Sequence, residues 1–178
     1  MKVDYSELHV VFITETDDVA KTDEKYIRKF LQVHYKEYWK LIHPVFLNMG
    51  GNTNITKEQT VIEVNKKRAE IFGHPYFQVI QCFDKDRNKD KGKIQNLIEF
   101  ANQHGYHPVL FSQNVEQCFY PTGSGKKKDR AQEFYSKTLS INDLDIEIFR
   151  HDIEECKKKN GISNLDLVLR PIIKKIKK

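Results

Sequence analysis

Four apolar runs separated by three amphipathic segments constrain this chain more than any other feature of it. Leu8-His9-Val10-Val11-Phe12-Ile13 reads as one continuous run, as expected of a strand covered on both faces of a parallel sheet. Thr22 is placed to cap a helix whose first turn holds Asp23 and Glu24, and Ile27, Phe30, Leu31, His34, Tyr38 and Leu41 recur at helical spacing. Pro44 to Leu47 follows as a second strand. Gly50-Gly51-Asn52-Thr53-Asn54 is loop chemistry, and Thr56 with Gln59 makes a capping box for a helix through Val61, Val64, Ile71 and Phe72 that stops at Gly73. Tyr76 to Phe83 is the third strand. Ile94, Leu97, Ile98 and Ala101 mark a further helix ended by Gly105, and Pro108 to Phe111 is the fourth strand.

The βαβαβαβ order implies an α/β fold: a mostly parallel four-stranded sheet with right-handed crossovers and helices on both faces. In such sheets ligands bind just beyond the carboxyl ends of the strands. The polar residues there are Glu15, Asn48, Asp84 with Asp86, and Ser112 with Glu116, so acids distant in sequence are expected to converge. A chain of 178 residues is long enough to bury a core without disulfides or structural metal. Residues 1–125 are expected to form the catalytic core, with 126–178 supplying a basic segment and C-terminal helices packed on the same domain.

Composition narrows the setting. Cys82, Cys118 and Cys156 are odd in number, far apart and without metal-ligand spacing, which suits a reducing compartment. The first apolar run is too short and too acid-flanked for a signal sequence, and no apolar stretch could span a bilayer, so a cytoplasmic protein without membrane contact is expected. The net charge of +5 mildly favours a polyanionic partner. Positive charge concentrates in Lys126-Lys127-Lys128-Asp129-Arg130 and in the terminal lysines, although charge runs are commonly just solvated faces.

Three familiar motifs fail. An EF-hand starting at Asp84 would find Asp86 and Asn88 in place, but Lys89 instead of glycine at position 6 and Gln95 instead of glutamate at position 12. The stretch Pro121-Thr122-Gly123-Ser124-Gly125-Lys126-Lys127 departs from a phosphate-binding loop at both ends, with Tyr120 for the first glycine and Lys127 for the magnesium-binding hydroxyl. A flexible basic loop fits it better. The seven histidines form no HxH, HxxxH or HExxH set, so no zinc site is expected. What survives is Glu15 after the first strand and Asp84 with Asp86 after the third, hard oxygen ligands suited to Mg2+ or Mn2+. The alternative is that these acids only solvate loops.

These residues resemble a family. Val11-Phe12-Ile13-Thr14-Glu15 and Val79-Ile80-Gln81-Cys82-Phe83-Asp84-Lys85-Asp86 are similar to the two acidic motifs of the Toprim domain, a glutamate after the first strand and an Asp-x-Asp after the third. Within Toprim the resemblance is strongest to the RloB-like and OLD-like group of bacterial and phage defence proteins, and it covers roughly residues 8 to 135. Lys21-Thr22-Asp23-Glu24-Lys25-Tyr26-Ile27 is similar to their Thr-Glu-x-x-Tyr-Phe helix start, with Asp for Glu. Ser112-Gln113-Asn114-Val115-Glu116-Gln117-Cys118-Phe119 more loosely resembles their Ser-Asn-Pro-x-Phe-Glu-x-Trp segment. Thr16 replaces the glycine that usually follows the glutamate, about three extra residues precede Thr22, and Cys118 replaces a tryptophan.

The resemblance implies a compact Rossmann-like Toprim fold and a nuclease that uses Mg2+ or Mn2+ at a phosphodiester. Glu15, Asp84, Asp86 and Glu116 would be the metal ligands, Glu15 a metal ligand or a general acid or base, and Lys85, Arg87 and Lys126 the phosphate-holding cations. Asp17 and Asp18 are expected to decorate a loop. RNA, transfer RNA in particular, is favoured over DNA as substrate, in anti-phage defence. The competing reading is a non-catalytic Toprim-like module that binds nucleic acid or serves a partner ATPase or other defence subunit as sensor or accessory. Self-association stays open.

Overall fold

The computed structural model describes residues 6–17, 19–51, 53–71, 76–85 and 91–176. The elements run β1 (Leu8–Thr14), α1 (Thr22–His34), a 3-10 turn (Trp39–Leu41), β2 (Ile42–Asn48), α2 (Glu58–Glu70), β3 (Phe77–Asp84), α3 (Lys91–Gln103) and β4 (His107–Phe111). They continue with α4 (Val115–Phe119), α5 (Lys127–Ser136), a 3-10 turn (Ile146–Phe149), α6 (Ile153–Lys158) and α7 (Leu165–Ile173). The four strands pair in parallel in the order β2-β1-β3-β4, the α/β layout that the alternation of runs predicts.

Strand alternation divides the core between the two faces, because successive side chains point to opposite sides of a sheet. On one face, Leu8, Val10 and Phe12 of β1, Ile80 and Cys82 of β3, and Val109 and Phe111 of β4 pack with Tyr26, Ile27, Phe30 and Leu31 of α1. Phe119, Ala131, Phe134, Phe149 and Leu169 complete that layer, so the C-terminal third shares one core with the sheet. On the other face, Val11, Ile13, Val79, Phe83 and Leu110 meet Val64 of α2 and Ile94, Leu97 and Ile98 of α3. Right-handed crossovers require this division: the chain moves from β1 outward to β2, then back across β1 to β3 and on to β4, which puts α1 opposite α2 and α3.

Several helix boundaries depart from expectation. Thr22 is the first helical residue and not the cap; the cap position is Lys21, in the left-handed region at φ 47°. α1 ends at His34, and Leu41 lies in a separate 3-10 turn. The capping box of Thr56 and Gln59 does not form: α2 starts at Glu58, and it is the Thr60 hydroxyl that donates to Asn54 O (2.7 Å). Phe72 and Gly73 lie outside the described residues. Lys127 to Arg130, expected in a loop, opens α5.

The segment after α6 runs along the outer edge of β4. Asn164 accepts a hydrogen bond from Leu110 N–H (2.8 Å) and donates one to Pro108 O (2.9 Å), while Ser112 N–H donates to Ile162 O (2.9 Å). Phe111 and Ser163 form an antiparallel bridge. Among the described residues no helix is long and apolar enough to cross a membrane.

Candidate functional site

The strand order reverses direction between β1 and β3, and the carboxyl ends of two such adjacent strands open the crevice in which α/β sheets bind ligands. Glu15 follows β1 directly and Asp84 is the last residue of β3. Glu15 Oε1 accepts the Asp84 backbone N–H at 3.3 Å, which joins the two strand ends. Asp84 Oδ1 in turn accepts from Val115 N–H (3.1 Å), the first residue of α4, and so brings the next residue, Glu116, to the same edge. Gln113, just ahead of α4, adopts φ 80°, a conformation costly for a side chain other than glycine. It turns the chain from β4 into α4.

Glu116 is 1% exposed, and neither carboxylate oxygen makes a hydrogen bond among the described residues. Lys127 Nζ, from the first turn of α5, lies 3.8 Å from Glu116 Oε1, close enough for charge attraction but too far for a hydrogen bond. A buried carboxylate left without hydrogen bonds is costly unless a cation compensates it.

Asp23 is a fourth acid at this edge. It is buried in the first turn of α1. Burial, then the negative charges of Glu116 and Glu15, push its carboxyl up to about 7, against weaker opposition from Lys127 and the Thr22 hydroxyl. Sequence reasoning assigned Asp23 only to the helix dipole; the signal for more was its place in the Thr-Glu-type helix start. The same field reaches neighbours. The Tyr26 hydroxyl, buried without a hydrogen bond, is pushed up by burial and then by Glu116. The Cys82 thiol, on β3, is pushed up by burial and then by Asp23, Asp84 and Glu15.

The other expected residues divide. Asp86 and Arg87, with Asp18, lie outside the described residues. Lys126 is exposed at the cap position of α5, and the lysine that reaches Glu116 is Lys127. Lys85 points away from a phosphate-holding role: its ammonium donates to Lys159 O (3.1 Å) and Cys156 O (3.5 Å), carbonyls at the end of α6 that have no helical partner. Ser112 is similarly engaged, its hydroxyl donating to Cys156 O at 2.7 Å. Asn48 accepts from Thr14 Oγ1 (2.8 Å) and Thr16 Oγ1 (3.4 Å), tying the ends of β1 and β2. Asp17 is a loop residue, accepting from Val19 and Ala20 N–H at 2.9 and 2.6 Å. The glycine loop is filled by protein: a Cβ on Gly123 would fall 2.5 Å from the Tyr120 ring.

Glu15, Asp23, Asp84 and Glu116 thus face one sheet edge from four elements. Among the described residues no three of them bring carboxylate oxygens within 4.8 Å of one another. Like charges repel, so gathering them onto a single ion requires side-chain rotation. The donor set is all oxygen, which suits a hard divalent cation, and the unsatisfied, buried Glu116 carboxylate fits such an ion. Neither a scan of the chain against protein-family models nor a search of curated proteins finds a match.

Proposed function

We propose that this chain is a divalent-metal-dependent nuclease of Toprim, RloB-like type that hydrolyses phosphodiester bonds, with RNA such as transfer RNA favoured over DNA, in anti-phage defence. The observation that carries this reading is Glu116, a buried carboxylate without hydrogen bonds, held beside Asp23, Glu15 and Asp84 at the carboxyl edge of a parallel sheet. Glu15, Asp84 and Glu116, with Asp86 beyond the described residues, would hold Mg2+ or Mn2+. When bound, the ion supplies Lewis-acid polarisation of the phosphate and neutralises charge that develops on its oxygens.

The protein's own groups cover the rest of the chemistry. Asp23, whose carboxyl is pushed up to about 7, holds a proton near neutrality and is suited to exchange one with the attacking water or the leaving oxygen. Lys127 adds a fixed positive charge beside Glu116, where phosphate oxygens would approach. Asp84, fixed by the Val115 N–H, keeps one carboxylate oxygen oriented before substrate arrives.

A second reading, the non-catalytic module serving a partner ATPase, draws on Lys127: its ammonium already offsets part of the Glu116 charge. Cleavage of mixed RNA and DNA in Mg2+, Mn2+ and chelator distinguishes the two. The expected result is cleavage only with metal, reduced roughly 100-fold or more by Asp84→Asn or by Glu116→Gln in folded protein. Binding of nucleic acid without cleavage in either metal would favour the second reading, and undiminished cleavage by both variants would remove these acids from the site.

A further inference from the structure

We infer that the amino-terminal edge of the sheet carries a second metal site, built from Glu7, His9 and His43, that takes a borderline cation of the Zn2+ class. His9 of β1 and His43 of β2 are cross-strand partners in register, so their side chains share one face. Their rings stack at 4.7 Å between centroids, 20° from parallel. Glu7 precedes His9 by two residues and falls on the same face by strand alternation. Its carboxylate contacts both rings: Oε1 lies 3.3 Å from His9 Nε2, and Oε2 lies 3.0 Å from His43 Nε2.

The spacing approaches that of a coordination sphere. With bonds of about 2.0–2.1 Å, a tetrahedral ion separates its ligand atoms by roughly 3.4 Å. The two Glu7 oxygens lie 3.3 Å from His9 Nε2 and 3.0 Å from His43 Nε2 respectively, and one ligand atom from each residue lies within 4.8 Å of the other two. Bringing all three atoms to that separation takes side-chain rotation. Two imidazole nitrogens and one carboxylate select Zn2+, or Cu2+ and Ni2+, over Mg2+, which prefers oxygen alone and keeps its waters. Three protein ligands leave a fourth position for water or an added ligand. His43 is half exposed, which gives the ion a route in.

This site is separate from the acidic one. His9 stands six residues before Glu15 along one strand direction, about 20 Å at the rise of a β-strand, so the two sites occupy opposite ends of the sheet. Bound metal would join β1 to the edge strand β2 through side chains as well as backbone.

The test is Zn2+ competition against a chromophoric chelator, with an Asp84→Asn, Glu116→Gln double variant keeping the acidic site out of the count. One equivalent of Zn2+ should bind, raise the melting temperature, and lose roughly tenfold or more in affinity on adding His43→Gln. Cu2+ at the same site should show electron paramagnetic resonance splitting from two nitrogens, reduced to one by His43→Gln. His43 is the variant of choice because it is the exposed member, and Glu7→Gln serves as the second. Failure of the double variant to bind Zn2+ at micromolar concentration would overturn the assignment, as would binding that both His43→Gln and Glu7→Gln leave unchanged.

Discussion

Asp23 combines two demands in one carboxyl: it lies at the amino end of α1, where negative charge is favoured, and it is buried beside Glu116 and Glu15, where negative charge is opposed. Burial and like charge win, and the group moves from 3.8 to about 7. The folded protein therefore keeps a proton that the unfolded chain releases near 3.8. The stabilising contribution is complete below that value and is lost as pH rises towards about 7. Asp23→Asn, which has no such proton to lose, should gain stability relative to wild type across this window, by up to about 4 kcal/mol. Denaturant titrations of both proteins at a series of pH values check it, and a difference that stays flat with pH would mean that Asp23 ionises near its ordinary value. Glu15, Asp84 and Glu116 were legible in the sequence because each follows the end of an apolar run. Asp23 was not, since what sets it apart is enclosure by α4 and α5, which arrive about a hundred residues later.

α5 illustrates what local sequence conceals about an element. It begins Lys127-Lys128-Asp129-Arg130 with Lys126 at the cap and no side chain closing the first turn, so nothing marks a helix start. Lysines there oppose the helix dipole, and Asp129 within the turn and Glu116 and Asp23 across the site offset them. Arg130 is not available for an anion in the same way: its Nη2 donates to Tyr120 O at 2.8 Å, and Gly123 packs against its Nε. Lys126 and Lys128 are exposed. Replacing these two by Gln should weaken binding of single-stranded RNA at any sequence and flatten the slope of log affinity against log salt, by up to about 0.7 per lost phosphate contact. Salt titrations of wild type and the double variant measure it, and an unchanged slope would show α5 to be only a solvated helix. By contrast α3, with Ile94, Leu97, Ile98 and Ala101 on one face, was readable, because its periodicity alone states which side is buried.

Across the whole molecule, the parallel sheet and its two-sided core follow from runs that a reader can see, whereas the C-terminal third, which adds Phe149, Leu165, Leu169 and Ile172 to that core, is further fixed by single polar residues. Asp166, fully buried, accepts from Arg150 Nε (2.9 Å) and Arg170 Nη2 (2.8 Å) and from the Tyr35 hydroxyl, uniting the end of α1, the turn before α6 and α7. Asp166→Ala would remove the buried acceptor shared by two partly exposed guanidinium groups and the Tyr35 hydroxyl, and should cost about 1–3 kcal/mol, measured by urea denaturation, with a loss under about 0.5 kcal/mol marking the network as dispensable. Only the Asp166–Arg170 pair, four apart on α7, is announced by spacing; Tyr35 and Arg150 join it through tertiary packing. The Asn164 side chain, which occupies the outer edge of β4 in place of a fifth strand, has a consequence for how the protein is made. Its partner Leu110 lies 54 residues earlier, so at synthesis rates of about 5–20 residues per second the edge of β4 exists for roughly 3–11 s before the residue that covers it. During that interval each nascent chain offers neighbouring ribosomes' products a bare strand to join, and it is the arrival of the short segment from Gly161 to Asn164, not the completion of the sheet, that withdraws the offer.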